Sequence, residues 1–182
     1  MNYIEKLNIG CGTDIKDGWI NLDGKNLPGV DIVHDLEVFP WPFVDNQFDE
    51  IYMKDVLEHL PNTIQTLEEI YRITKPHGKI FIAVPYWNSW EAITDPTHIK
   101  HFNEYSFDFF DPSCILCKNR DYYSFARFKI LKKGYVIRPF APNFELFRVH
   151  TIYNPIWQKM LAFFASYFSN IIIGLDFYLE RI

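Results

Sequence analysis

Two glycines and one aspartate near the amino terminus have the types and the spacing of a ligand site. Gly10 and Gly12, in the segment IGCG, follow a short apolar run, and Asp23 ends the next apolar run, WINLD. Glycine lets the backbone turn sharply and approach a ligand without a β-carbon in the way, whereas a carboxylate accepts hydrogen bonds from ribose hydroxyls. In a parallel α/β sheet, ligands bind beyond the carboxyl ends of the strands, where these residues would fall. The pattern therefore indicates a nucleoside ligand held between two strand ends.

The spacing of the three residues disfavours a dinucleotide. The dinucleotide fingerprint is G-x-G-x-x-G with an acidic residue about twenty positions further on. Here Ile15 stands where the third glycine would be, and Asp23 follows Gly10 by only 13 residues. A nicotinamide oxidoreductase is thus the lowest-ranked function, and an adenosine with an uncharged or cationic 5′ substituent fits better than a pyrophosphate.

A second group of residues with chemical potential lies in the segment ITDPTHIKHF. It contains Asp95, His98 and His101. Histidine changes charge near neutral pH and is a common general base. We predict that His98 or His101 deprotonates a hydroxyl or amine acceptor while Asp95 orients the imidazole. The alternative is that both histidines only anchor the loop by hydrogen bonds to the backbone.

The same residue types also occur in metal sites, but the sequence predicts no metal. Neither the Asp95 to His101 group nor the pair Glu58 and His59 has a further ligand at matching spacing. Glu58 and His59 are interpreted instead as part of a helix near the site. The three cysteines, two of them in SCILCK, are expected to be reduced and structural.

Alternating apolar runs and turns supply the scaffold for these residues. Short apolar runs bounded by turn residues predict five buried strands, at 6–9, 19–22, 30–34, 48–53 and 79–84. Ile64, Leu67 and Ile70 recur at helical spacing between the fourth and fifth runs, which makes a strand, helix, strand unit. The predicted fold class is α/β, a three-layer Rossmann-like sheet that is mostly parallel. Two β-rich runs around 132–134 predict a hairpin that adds an antiparallel strand at the edge.

Composition and charge limit the partners and the location. A chain of 182 residues with 48% hydrophobic residues has enough apolar surface for one domain with a real core. Its net charge of −5 offers no general attraction for phosphate backbones, so no nucleic-acid partner is expected. The start, MNYIEKLNI, lacks the pattern of a secretory signal, and a cytoplasmic location is predicted.

The sequence resembles the class I S-adenosylmethionine-dependent methyltransferases, in particular their small methyltransferase-11-like branch. The resemblance is carried by ordered motifs over residues 6–107, namely LNIGCG, NLD, HDLEVFPWPF, FDEIYMKDVLEHL and ITKPHGKIFIAVP. It implies S-adenosyl-L-methionine as the cofactor and methyl transfer as the activity. It further implies a binding role for eight residues, in which Gly10, Cys11 and Gly12 contact the methionine part, Asp23 binds the ribose, Asp35 and Leu36 contact the adenine, and Lys54 and Asp55 close over the sulfonium side.

The acceptor is left open by the sequence. Aromatic residues directly after the fifth strand, in VPYWNSW, could stack on a ring-shaped small molecule or on a glycan. O-methylation and N-methylation both remain open, as does a lipid-linked acceptor. The alternative from another class is a non-catalytic binding module on the same fold, acting as a partner subunit.

The carboxyl-terminal tail is the most hydrophobic part of the chain. Its charge-free run, residues 160–175, spans 16 residues and is shorter than the roughly 18 or more that suggest a membrane-spanning helix. We predict a methyltransferase domain over residues 1–150 and a hydrophobic helical extension over residues 151–182. The extension would pack on the domain, contact a membrane peripherally or pair two subunits as a homodimer.

Overall fold

The strands of this protein form one eight-stranded sheet within the parts of the chain that the computed structural model describes, residues 5–138 and 149–182. Residues 1–4, where the segment used to exclude a secretory signal begins, lie outside these ranges. The strands are β1 (Lys6–Ile9), β2 (Ile20–Asp23), β3 (Ile32–Val33), β4 (Phe48–Lys54), β5 (Thr74–Pro85), β6 (Phe128–Ile137), β7 (His150–Ile152) and β8 (Gly174–Arg181).

Four helices and two 3₁₀ turns accompany the sheet in the described residues. The helices are α1 (Thr63–Ile73), α2 (Trp90–Thr94), α3 (Ile115–Asn119) and α4 (Pro155–Ala165), and the 3₁₀ turns are Leu57–His59 and Asp121–Tyr123. Asn62 caps the start of α1, and its side chain accepts a hydrogen bond from the Gln65 amide at 3.1 Å. Helix α1 connects β4 to β5, as the sequence predicts.

The sheet order is β3-β2-β1-β4-β5-β8-β6-β7. Strands β1 to β5 pair in parallel, and β6, β7 and β8 join them by antiparallel pairing. This confirms the predicted α/β class with an antiparallel edge. Only turns and loops separate β1 from β2 and β2 from β3, so the short spacing from Gly10 to Asp23 reflects a connection without a helix.

The predicted hairpin around residues 132–134 is wrong. Strand β6 runs without interruption through Lys132 and Gly134, and a register shift between Ile130 and Lys132 takes up the irregularity. The turn-like residues thus mark a bulge rather than a chain reversal. The antiparallel neighbour of β6 comes instead from the end of the chain.

The predicted helical extension over residues 151–182 is correct only in part. Residues 155–165 are helical, but residues 174–181 form β8, which lies between β5 and β6 inside the sheet. The helical prediction is wrong for these residues because the alternation of buried and half-buried side chains in β8 has the period of a strand. The tail is therefore an integral part of the sheet.

Most of the core lies against one face of the sheet. Leu7, Ile9 and Ile82 are fully buried there, and Phe107 packs on Phe177 of β8 with ring centroids 4.2 Å apart. On the opposite face, half-buried rings pack in a row, namely Trp19 directly before β2, Tyr52 on β4, Phe81 on β5 and Tyr178 on β8.

Helix α4 exposes much of its apolar surface. Trp157 is 56% exposed and Phe163 is 60% exposed, whereas Ala165 is buried in the core. The predicted homodimer or peripheral membrane contact through this helix stays a prediction. Within the described residues, no helix combines the length and the apolar character needed to cross a bilayer.

Candidate functional site

The glycine-rich turn lies where β1 ends, beside the beginning of the segment after β4. Gly10 has φ +62° and Gly12 has φ +50°, both in the left-handed region that favours glycine. A β-carbon at Gly10 would stand 2.3 Å from Cγ2 of Val56, so the turn packs against the post-β4 segment too closely for a side chain. Around Gly12 no atom lies within 4 Å of such a carbon, and a ligand can approach the backbone there.

The carboxylate of Asp23 joins this turn to the end of β2. Its Oδ2 accepts a hydrogen bond from the Gly12 amide at 2.8 Å, and its Oδ1 accepts one from the Lys25 amide at 2.9 Å. Each carboxylate oxygen can accept a further hydrogen bond. Asp23 thus has both the position and the free lone pairs to bind ribose hydroxyls next to the glycine turn.

Asp35 and Leu36 follow β3, the next strand toward the edge. Asp35 is exposed, and its Oδ1 accepts a hydrogen bond from the Glu37 amide at 2.9 Å. Leu36 is buried, and its carbonyl accepts from Trp41 Nε1 at 3.1 Å. Leu36 lines a small pocket with Leu60 near the start of α1. The apolar side chain of Leu36 and the carboxylate of the preceding residue, Asp35, suit an adenine ring and its amino group.

Lys54 and Asp55 end β4 and separate the glycine turn from a larger cavity. Asp55 has φ +54°, and its amide donates to the carbonyl of Ala83 on β5 at 3.0 Å. The Lys54 Nζ to Asp55 Oδ2 distance is 3.7 Å. All eight residues implied to bind the cofactor therefore lie at or directly after the ends of β1, β2, β3 and β4. They fit an adenosine ligand. The glycine turn allows a ligand to approach the backbone, the Asp23 carboxylate can accept hydrogen bonds from the ribose, and the Asp35 carboxylate can accept from the adenine amino group.

The cavity next to Lys54 and Asp55 has a volume of about 270 Å³ and is rich in charge. It extends over the ends of β4 and β5 to β8 and β6, and three further charged residues line it, namely Glu91, Arg138 and Asp176. Arg138 Nη2 lies 3.3 Å from Glu91 Oε1. The cavity thus combines an ion pair with two more carboxylates, those of Asp55 and Asp176.

Burial changes the acid–base properties of two of these carboxylates. Burial raises the pKa of Asp176, and the Thr151 hydroxyl donates to its Oδ2 at 3.3 Å. Burial also raises the pKa of Glu91, against the opposing effect of Arg138. A carboxylate with a raised pKa is a stronger base than an ordinary one. Sequence reasoning missed both residues because their shared cavity depends on β8 entering the sheet beside β5.

The predicted catalytic residues are only partly brought together. His98 is half-buried, and its Nδ1 lies 3.2 Å from the carbonyl oxygen of Ala92. The Asp95 carboxylate accepts from the Thr97 amide at 2.8 Å and from the Thr97 hydroxyl at 2.6 Å. His101 is exposed. Among the described residues, the hydrogen bond of the His98 ring goes to the Ala92 carbonyl and none joins that ring to the Asp95 carboxylate, so Ala92 orients the ring.

His98 meets two residues that the sequence analysis interpreted as part of a helix. Its Nε2 lies 3.9 Å from Oε1 of Glu58, and its ring packs edge-on against His59 with centroids 4.7 Å apart. Glu58 and His59 form a 3₁₀ turn after β4 rather than a longer helix. Burial raises the pKa of Glu58 to about 7. The pairing with His98, about forty positions away, is a product of the fold that sequence spacing does not display.

The aromatic residues after β5 divide between core and surface. Tyr86 is buried, whereas Trp87 and Trp90 are 48% and 37% exposed. Trp90 borders an open depression that also includes Glu91, Asp95 and His98. Because Glu91 lines both spaces, this depression adjoins the charged cavity.

Residues 7–82 match a family described as a methyltransferase domain. An uncharacterized protein of Methanocaldococcus jannaschii is 28% identical over 143 residues, which cover 74% of this chain and 56% of that protein. Phosphoethanolamine N-methyltransferase 2 of Caenorhabditis elegans is 36% identical over 44 residues, which cover 24% of this chain and 10% of that enzyme. The chain thus spans little more than half of one curated relative and a tenth of the other.

The fold also matches solved structures. A SAM-dependent methyltransferase of Thermotoga maritima, described as a possible histamine N-methyltransferase, superposes with a TM-score of 0.63 at 14% identity, over 98% of this chain and 82% of that one. This likeness concerns the fold. Together with the family match it implies S-adenosyl-L-methionine as the cofactor.

Proposed function

We propose that this chain, whose residues 7–82 match a methyltransferase-domain family, is an S-adenosylmethionine-dependent methyltransferase that methylates a small polar acceptor carrying an amino group. The observation that carries the proposal is the charged cavity beside Lys54 and Asp55. It adjoins the residues that would hold the cofactor, and it is lined by the carboxylates of Asp55, Glu91 and Asp176.

The cofactor side is assigned to the ends of β1 to β4. Gly10, Cys11 and Gly12 bind the methionine part, and Asp23 binds the ribose through the lone pairs that its two backbone contacts leave free. Asp35 and Leu36 hold the adenine. When bound, S-adenosylmethionine supplies a sulfonium methyl group that a nucleophile attacks in line, so the protein mainly positions the two partners.

The acceptor side favours an amine. Carboxylates attract an ammonium group, and a base is needed to remove its proton before nitrogen can form the new bond to carbon. Asp176 and Glu91, whose pKa values are raised by burial, are suited to accept that proton. An apolar lipid or quinone ring would have to displace water from Asp55, Asp176 and the Glu91–Arg138 ion pair without offering them hydrogen bonds, which is unfavourable.

Two of the compared proteins bear names that agree with this choice. One is named a phosphoethanolamine N-methyltransferase, and the other is described as a possible histamine N-methyltransferase. The sequence-based assignment of His98, His101 and Asp95 to catalysis stays a proposal. His98 borders the depression next to the charged cavity, whereas Asp176 and Glu91 line the cavity itself. They are therefore closer than His98 to the proposed position of the acceptor.

The proposal is tested by supplying the tag-free protein with S-adenosylmethionine and three acceptor panels, namely small primary amines, small hydroxyl compounds including glycans, and lipid quinones. We expect S-adenosylhomocysteine and an N-methylated product with amines alone, as measured by mass spectrometry. Asp176→Asn should lower turnover by about a hundredfold or more, the usual scale of a general base, while Asp17→Asn, at an exposed position of the β1–β2 connection, should not.

Product from hydroxyl compounds or quinones but not from amines would contradict the acceptor class. Cofactor binding without turnover on any panel would instead favour a non-catalytic binding module on the same fold.

A further inference from the structure

Glu58 is a buried carboxylate whose oxygens accept no hydrogen bond from the described residues. The residue is 1% exposed. Leaving an ionised carboxylate unpaired in the interior is costly, because its hydration is lost without compensation. A cation bound at these oxygens would supply that compensation.

Two imidazole rings share that space. The ligand atoms that Glu58, His59 and His98 offer all lie within 4.8 Å of one another. A tetrahedral zinc ion about 2.1 Å from each ligand would separate the ligand atoms by about 3.4 Å. Movements on the order of 1 Å would therefore close the three side chains around one ion.

The hydrogen bonds around the rings orient both imidazoles for metal binding. The carbonyl of Ala92 can only accept, so His98 Nδ1 is the donor at 3.2 Å and Nε2 keeps its lone pair when the ring is neutral. The Thr97 hydroxyl gives its hydrogen to Asp95 Oδ1 at 2.6 Å, so it accepts from His59 Nδ1 at 2.9 Å. His59 Nε2 is then also a lone-pair nitrogen. Carbonyl and carboxylate groups behind ligating histidines are the usual second layer of metal sites.

We propose that Glu58, His59 and His98 bind one divalent transition-metal ion, of which Zn²⁺ is the representative. Two imidazoles and one carboxylate are a donor set that zinc uses in proteins, leaving a fourth position open. Magnesium and calcium prefer ligand sets made of oxygen alone, so the two nitrogens select against them.

The ion would fasten two segments that border the proposed active site. The carbonyl of Glu58 already accepts hydrogen bonds from the amides of Ile99 and Lys100, each at 3.0 Å. These contacts dock the loop that carries Asp95 and His98 onto the 3₁₀ turn after β4. A shared metal ion adds side-chain bonds to this backbone contact and holds the loop beside the charged cavity.

The test uses tag-free full-length protein, stripped with chelator and titrated with Co²⁺ or Zn²⁺ alone, without S-adenosylmethionine. We expect one ion per chain, visible absorption bands of tetrahedral Co²⁺, displacement of cobalt by zinc, and a higher melting temperature with zinc because the ion binds the folded state. His98→Ala and His59→Ala should each weaken binding at least a hundredfold. Thr97→Val should weaken it by about 10 to 100-fold, the scale found for second-layer groups.

His101→Ala is the matched control, since this exposed histidine belongs to the same loop but lies outside the group of three. It should bind cobalt like the parent protein. Retained binding of S-adenosylhomocysteine in every variant shows that the fold is intact and keeps this test separate from that of the acceptor. The proposal is overturned if the parent protein takes up no stoichiometric ion, or if His98→Ala and His101→Ala bind the ion equally.

Discussion

At the scale of single residues, Asp23 joins the glycine turn to the end of β2, where the proposed function places the cofactor ribose. Its two carboxylate oxygens accept from the amides of Gly12 and Lys25, which fixes the carboxylate at the end of β2. A group held in this way loses little freedom when a ligand binds. Asp23 should therefore contribute directly to cofactor affinity.

We predict that Asp23→Ala weakens binding of S-adenosylhomocysteine by about 1.5 to 3 kcal/mol, the usual value of hydrogen bonds to a charged group. This corresponds to roughly a 10 to 150-fold increase in Kd. Isothermal titration calorimetry measures the change. Asp17→Ala is the control, because Asp17 is an exposed aspartate of the same connection, and it should leave the Kd unchanged. An unaltered Kd in Asp23→Ala would place the ribose elsewhere.

The position of the proposed cofactor residues at strand ends could be predicted from the sequence, whereas the meeting of several other site residues could not. Gly10, Gly12 and Asp23 stand at strand ends, and strand ends are visible as the limits of apolar runs. Glu58 and His98 meet only because a loop after β5 docks on the turn after β4. Asp176 reaches the cavity only because β8 enters the sheet. Contacts between distant segments leave no local pattern.

At the scale of elements, β8 is the part of the fold that the sequence analysis assigned wrongly. Residues 160–175 are apolar, and the helix Pro155–Ala165 covers their first part. The helical spacing of the apolar residues therefore predicts a helix that continues too far along the tail. The pairing of β8 with both β5 and β6 is long-range, and it fixes alternate side chains in the core. Phe177, fully buried against Phe107, is the largest of them.

We predict that Phe177→Ala lowers the free energy of unfolding by about 3 to 5 kcal/mol, the cost of deleting a large buried side chain. Phe163→Ala makes the same chemical change on α4, where the ring is 60% exposed, and should cost no more than about 0.5 kcal/mol. Urea denaturation of both variants provides the comparison. Equal stabilities would show that the carboxyl-terminal strand is not part of the core.

At the scale of the whole molecule, the proposed cofactor residues and the charged cavity lie on different halves of the sheet. The parallel strands β1 to β4 end at the residues that fit an adenosine, and the change to antiparallel pairing at β5 and β8 places a charged cavity beside them. Lys54 and Asp55 lie between the two spaces. In the proposed function, this arrangement would bring a methyl donor and an acceptor to one edge of the sheet, which is the requirement for in-line transfer.

The most direct test of this account is a calorimetric titration of the tag-free protein with S-adenosylmethionine, S-adenosylhomocysteine and NAD⁺. We predict that the first two bind once per chain with similar Kd and raise the melting temperature, because a ligand of the folded state stabilises it. NAD⁺ should give no binding heat, since the glycine turn lacks the pattern for a pyrophosphate. Binding of NAD⁺ with no binding of either sulfur compound would contradict the account.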